Sequence, residues 1–106
     1  MFVELLGESP VIKVLDFLLV ARDFDYSKSE IAENAEISWN TLASIWPFLF
    51  GNEIIIKTRR VGKQDMFKLN MDNEKVRMLI KFDNELIKYS IDTAAKSATQ
   101  GLQVKN

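Results

Sequence analysis

Between Lys57 and Lys68 the chain sets five basic side chains, Lys57, Arg59, Arg60, Lys63 and Lys68, against the single carboxylate of Asp65, on both sides of Gly62. Apolar strand formers flank the run: Ile54, Ile55 and Ile56 before it, Met66, Phe67 and Leu69 towards its end. Such residues suit a pleated, half-buried surface, and glycine takes the positive φ of a tight turn without a steric penalty. The segment therefore predicts a β-hairpin over 53–70 that turns at Val61-Gly62-Lys63 and concentrates positive charge at its tip.

The residues before the hairpin read as a series of capped helices. Ser9-Pro10 is a cap followed by proline at the first helical position, where a missing N–H costs nothing, and predicts a helix over 10–21. Val11, Ile12, Val14, Leu15, Phe17, Leu18, Leu19 and Val20 cover nearly its whole circumference, so it must be buried on several sides. With Phe2, Val3, Leu5 and Leu6 upstream, this is more apolar surface than a small monomer easily hides, which points to a partner chain over the N-terminal region. Ser27-Lys28-Ser29-Glu30 is a capping box and opens a second helix over 28–35. After the turn at Ala35-Glu36-Ile37, Ser38 caps a third helix over 39–50, and two short helices joined this way form a helix-turn-helix.

In that third helix Leu42, Ile45, Trp46 and Leu49 fall at core spacing, leaving Trp39, Asn40, Thr41 and Ser44 to point outward or to the turn. Pro47 is expected to kink the helix without breaking it, and Gly51-Asn52 to end it. Phe48 and Phe50 sit on neighbouring faces and cannot both turn inward. Beyond the hairpin, Met71-Asp72-Asn73 brings in another cap, and a long helix reaches to about residue 95. Its apolar residues span more than one face, so part can pack on the domain and part can meet another subunit. Residues 96–106 are polar with isolated apolar positions and are expected to form a flexible tail.

At 106 residues and 47% apolar composition the chain is expected to make one folded unit without metals or disulfides. It contains neither Cys nor His, which removes disulfide frameworks, zinc fingers and thiol or imidazole catalysis. Asp23, Asp25, Glu30, Glu33 and Glu36 are scattered with no paired, apolar setting for acid–base work and read as a solvated acidic face. With no glycine-rich phosphate loop and no metal-spaced cluster, the expectation is a non-enzyme with no cofactor. The N-terminal stretch lacks the features of a signal peptide and no apolar run approaches the roughly 20 residues of a membrane span, so a cytoplasmic protein is expected. Charge is split along the chain: residues 1–56 carry a net of −6 and residues 57–106 a net of +5, with the switch at the hairpin. A nucleic-acid face on one side of the fold would produce this asymmetry.

Taken in order, a helix, Tyr26-Ser27-Lys28-Ser29-Glu30-Ile31-Ala32, a turn, Ser38 with Thr41-Leu42, Ile45-Trp46-Pro47, the run Ile54 to Lys63 and Phe67-Lys68-Leu69-Asn70 resemble small archaeal winged helix-turn-helix transcriptional regulators related to the MarR and ArsR types. The resemblance covers about Leu5 to Leu79. It implies a mainly α fold with a small β-hairpin: a winged helix-turn-helix domain over 1–71, a C-terminal dimerisation helix over 72–95 and the tail. It further implies a homodimer on double-stranded DNA, with the third helix in the major groove and the wing on the minor groove or the phosphates beside it. This chain departs from the pattern after Leu49, where Phe50, Gly51, Asn52 and Glu53 stand in place of a charged helix end, and its third helix holds no Lys or Arg.

On this basis Ser38, Trp39, Asn40, Thr41 and Ser44 are the candidate contacts of the recognition helix. Asn40 suits adenine, Thr41 and Ser44 suit phosphate or base, and Trp39 suits sugar and backbone. Lys57, Arg59, Arg60, Lys63 and Lys68 are the candidate wing contacts, which requires the arginines to stand clear of the chain's own carboxylates. Leu5, Leu6, Val76, Ile80, Ile87 and Ile91 are the candidate dimer interface. Two other functions fit the same residues: a winged-helix protein-interaction module, and an architectural or plasmid-partition protein that coats DNA.

Overall fold

The computed structural model describes residues 2–104 and orders them as α1 (Phe2–Leu6), α2 (Pro10–Val20), β1 (Tyr26–Ser27), α3 (Lys28–Asn34), α4 (Trp39–Gly51), β2 (Ile55–Val61), β3 (Gln64–Leu69) and α5 (Glu74–Val104). The strands form one antiparallel sheet in the order β1-β3-β2. This is a winged helix, mainly helical, with a long C-terminal helix. The two-residue strand β1, which pairs Tyr26 with Phe67 and Ser27 with Met66, is too short to leave a sequence pattern.

Helices begin where a side chain satisfies an orphan amide. Ser9 Oγ accepts from the Ile12 N–H at 3.3 Å, and Ser38 Oγ from the Thr41 N–H at 3.1 Å. Ser27 and Glu30 form the reciprocal capping box at 3.2 and 3.0 Å. At α5, Asn73 Oδ1 accepts from the Lys75 N–H at 2.9 Å, while its amide donates to the Glu53 carbonyl at 3.0 Å and so pins the α4–β2 turn.

The ends of α3 and α4 follow one plan. The Ile37 N–H bonds to the Ala32 carbonyl with Glu36 on Glu33, and the Ile54 N–H bonds to the Leu49 carbonyl with Glu53 on Phe50. This is the Schellman pattern, whose left-handed position usually holds glycine. Here it falls on Glu36 (φ 58°) and Glu53 (φ 56°). Gly51, expected to terminate α4, is instead its last helical residue, and α4 runs unbroken through Pro47.

The core gathers Val14, Leu18 and Leu19 of α2, Ile31 of α3, Leu42 and Leu49 of α4, and Ile55, Phe67 and Leu69 of the sheet. Val76 at the start of α5 is fully buried among them, and Leu79 and Ile80 pack against them. One helical turn beyond Ile80, Asp83 is only 1% exposed, and neither of its carboxylate oxygens has a hydrogen-bond partner among the described residues. Arg22 Nη1 lies 3.5 Å from it and donates to the Leu19 carbonyl at 2.7 Å, while Nη2 donates to Asn84 at 2.9 Å, tying the end of α2 to α5.

Past Leu86, which still packs against the core, α5 leaves the domain. Its 31 residues extend about 46 Å at the helical rise of roughly 1.5 Å per residue. The radius of gyration is accordingly 17.0 Å, against about 13 Å for a compact chain of this length. The helix continues to Val104 where the sequence predicts a tail from residue 96, because Thr93-Ala94-Ala95-Lys96-Ser97 contains no breaker and alanine is the strongest helix former. Residues 105–106 of the expected tail lie outside the described residues.

Candidate nucleic-acid interface

The wing is a hairpin with a two-residue loop. Val61 pairs with Gln64, and of the loop residues Gly62 alone has positive φ, at 61°, which is the type II′ arrangement suited to the twist of the strands. In the sequence its five cations form one patch. The register divides them.

Pairing slips between Lys57 and Arg59, with Thr58 as the extra residue: Lys57 faces Phe67, Arg59 faces Met66 and Arg60 faces Asp65. Cross-strand partners share a face and successive residues of a strand alternate. Lys57 and Arg60 therefore lie on the face of Asp65 and Phe67, whereas Arg59 lies on the opposite face with Met66 and Lys68. A regular strand would have put Arg59 beside Lys57; the bulge re-aims it.

On the second face Arg59 is already engaged. Its Nε is 2.9 Å from Asp25 Oδ2 and its Nη2 3.1 Å from Oδ1, a bidentate pair. The Thr58 hydroxyl donates to the same carboxylate and, at 3.3 Å, to the Met66 carbonyl. Asp25 is 14% exposed. The hydrogen bonds from Arg59, then Thr58, hold its carboxyl down at about 2, and the Arg59 guanidinium is raised in turn, by the Asp25 hydrogen bond first.

On the first face Lys57 Nζ and Arg60 Nη1 lie 3.2 and 3.5 Å from Asp65 Oδ1, neither in hydrogen-bond geometry. Exposed pairs of this kind contribute about 0–1 kcal/mol and are screened by salt. Lys63 at the tip and Lys68 have no carboxylate partner among the described residues. Five cations and two paired carboxylates leave the wing a net charge of +3.

The requirement that the hairpin's arginines stand clear of the chain's carboxylates fails at Arg59 and, more weakly, at Arg60. Arg59 holds the wing to the α2–β1 segment. Asp25, read from sequence as part of a solvated acidic face, is its half-buried partner 34 positions away, and nothing local in the sequence signals the pair.

Helix α4 differs in kind. Ser38 and Thr41 hydroxyls meet at 2.8 Å and the Ser44 hydroxyl donates to the Thr41 carbonyl at 2.7 Å, so all three serve the helix's own N-terminus. Asn40 is exposed with no partner among the described residues. Trp39, Ala43, Trp46 and Phe50 follow one another at helical spacing as a stripe on one side. Trp39 is 53% exposed, but Trp46 packs edge-on against Phe67 at 4.7 Å and is covered by Lys28, whose Nζ lies 4.6 Å from the Trp46 ring centre and 5.9 Å from that of Phe67. A cleft of about 210 Å³ opens between the starts of α3 and α4 and the wing tip, lined by Ser27, Lys28, Ser29, Trp39, Lys63, Gln64, Asp65 and Phe67. Lys28 entered the sequence reading in a capping box and in the motif that carries the resemblance, not as a site residue.

Of the residues expected at a subunit interface, Leu5, Leu6, Ile87 and Ile91 are exposed and Ile80 is half-buried. Val76 is a correction: it is fully buried in the chain's own core and presents nothing to a second subunit. Phe48 and Phe50 both remain substantially exposed.

No protein-family model matches the sequence, and no curated protein matches it by sequence. Among solved structures, two mutant forms of Lactococcus lactis ZitR are similar to the chain. The first, in apo form, has a TM-score of 0.63 at 16% identity over 92% of this chain and 74% of that one. The second has a TM-score of 0.61 at 17% identity over 83% of this chain and 60% of that one. Likeness at this identity shows the winged-helix fold. No helix among the described residues is long and apolar enough to cross a membrane.

Proposed function

We propose that the chain is a DNA-binding transcriptional regulator, akin to the MarR and ArsR types, acting as a homodimer on double-stranded DNA. The observation that carries this reading is the charge arrangement of the wing. Lys63 at the tip has no carboxylate partner among the described residues, Lys57 and Arg60 are weakly paired on the face shared with the α4 cleft, and the wing as a whole keeps a net charge of +3. Cations so placed neutralise phosphates and supply sequence-independent affinity. At the start of α4 the free amide of Asn40 suits the N6 and N7 edge of adenine in the major groove. Three net charges per chain bind weakly, so two subunits must act together. The exposed Leu5, Leu6, Ile87 and Ile91 supply apolar surface for the second copy, and half-sites would then lie roughly 34 Å apart.

Footprinting on the duplex upstream of the protein's own gene tests this. The expected result is a bounded, palindromic protected region. Protection that spreads along the DNA would replace the regulator with a coating protein, and no protection even in dilute buffer would overturn DNA binding in favour of a protein-interaction module.

A further inference from the structure

Intact duplex hides the faces of its bases in the stack and offers only their edges, which are read by hydrogen bonds. The stripe Trp39, Ala43, Trp46 and Phe50 of α4 offers no hydrogen-bonding group apart from the two indole N–H groups, and α4 carries no cation. What it does offer is one accessible indole. Trp39 is half-exposed at the mouth of the cleft, whereas Trp46 is closed off by Lys28 and Phe67. At about 210 Å³ the cleft has room for a single flat ring system. Lys28 and Lys63 line it from α3 and from the wing tip; its one carboxylate, Asp65, already faces Lys57 and Arg60. An aromatic surface between cations is the arrangement that holds single-stranded nucleic acid, stacking a base on the ring and setting its phosphates on the charges.

We infer that the cleft between Trp39 and the wing tip takes an unpaired base, stacked on the Trp39 indole with its flanking phosphates on Lys63 and Lys28. Every base has a π-face, so the site selects for strand opening rather than for sequence. It does not depend on the duplex reading, because the wing charges serve either substrate.

The test is a titration of the full chain, carrying Trp46→Phe so that Trp39 is the remaining indole, with a short dT oligomer, the matching rU oligomer and a duplex of the same length. Single strands are expected to quench Trp39 emission to saturation and to bind more tightly than the duplex at equal salt. A lead of dT over rU places the base in DNA, and the reverse order places it in RNA. Trp39→Ala should weaken single-strand binding by about 10- to 100-fold, with Trp39→Phe retaining most of the affinity. Since Trp39 is exposed, neither change threatens the fold. Duplex binding that falls with Lys63→Ala, together with single-strand binding indifferent to Trp39→Ala, would overturn the base site and leave the duplex reading standing. Quenching by the single strand with no duplex binding at any salt would do the opposite.

Discussion

Helix α4 and the wing face each other across one cleft, yet α4 is fixed by burial and the wing by charge. Leu42 and Leu49, two turns apart on α4, are wholly enclosed in the core, and nothing charged lies between Trp39 and Gly51. On β2 every residue beyond Ile56 is exposed, and that part of the hairpin is held to its surroundings by Asp25 through Arg59 and Thr58. If the chain binds DNA as proposed, affinity and local recognition are placed on different elements. On the proposed reading, the charged, electrostatically tethered arm would draw in a polyanion without reading it, and the neutral helix would meet whatever the arm brings near.

The largest effect should come from breaking the burial of α4. Leu42→Ala is expected to cost about 2–5 kcal/mol in urea unfolding, whereas Trp39→Ala on the exposed side should change stability by no more than about 0.5 kcal/mol. Comparable losses from the two would mean that α4 is not divided into a structural and a presenting face.

A smaller change of opposite sign is expected where α4 hands over to the wing. Glu53 occupies a left-handed conformation (φ 56°) that penalises side chains by roughly 1–2 kcal/mol. Glycine relieves this at some cost in unfolded-state entropy. Glu53→Gly should therefore raise the unfolding free energy by about 0.5–1 kcal/mol. No gain would show that the Glu53 side chain makes a compensating contribution.

The ion pair between Asp25 and Arg59 tethers the wing. Asp25→Asn releases Arg59 and adds one net positive charge per chain, two per dimer, so duplex affinity should rise by about threefold to tenfold and the salt dependence should steepen by about 1.8 in log–log slope. A fall in affinity would instead show that holding the wing in place matters more than its charge.

The smallest effect is expected from pH. The Asp25 carboxyl is depressed from 3.8 to about 2 in the folded chain. A carboxylate depressed on folding contributes stability above its unfolded value and loses it as pH falls through the folded one. The wing tether should thus be constant from about pH 5 upward and weaken between about 4 and 2, as followed by amide exchange at Lys63 and Gln64. Loosening near neutrality would contradict the Asp25–Arg59 pairing.

Much of this was legible in the sequence because helix starts and the hairpin turn are local chemistry. Ser9, Ser27, Ser38 and Gly62 each act on residues a few positions away, and each stands where the sequence puts it. The long-range features were not legible. The pairing of Arg59 with Asp25 depends on a one-residue bulge at Thr58, and a slip of one residue changes the face of every side chain beyond it. The cover of Lys28 over Trp46 joins residues on different helices. Val76 was read as an interface residue because helical spacing identifies an apolar face without saying whether the chain's own core or a second subunit covers it.

On the proposed reading, the net charge of the wing binds the DNA backbone. Fluorescence anisotropy of a labelled duplex over a series of salt concentrations measures it directly, comparing the native chain with one carrying Arg60→Ala and Lys63→Ala together. Two wings of net charge +3 should give a log–log slope of about −5, reduced to about −2 when two cations are removed from each. A slope near zero, or one that the double substitution leaves unchanged, would contradict the account.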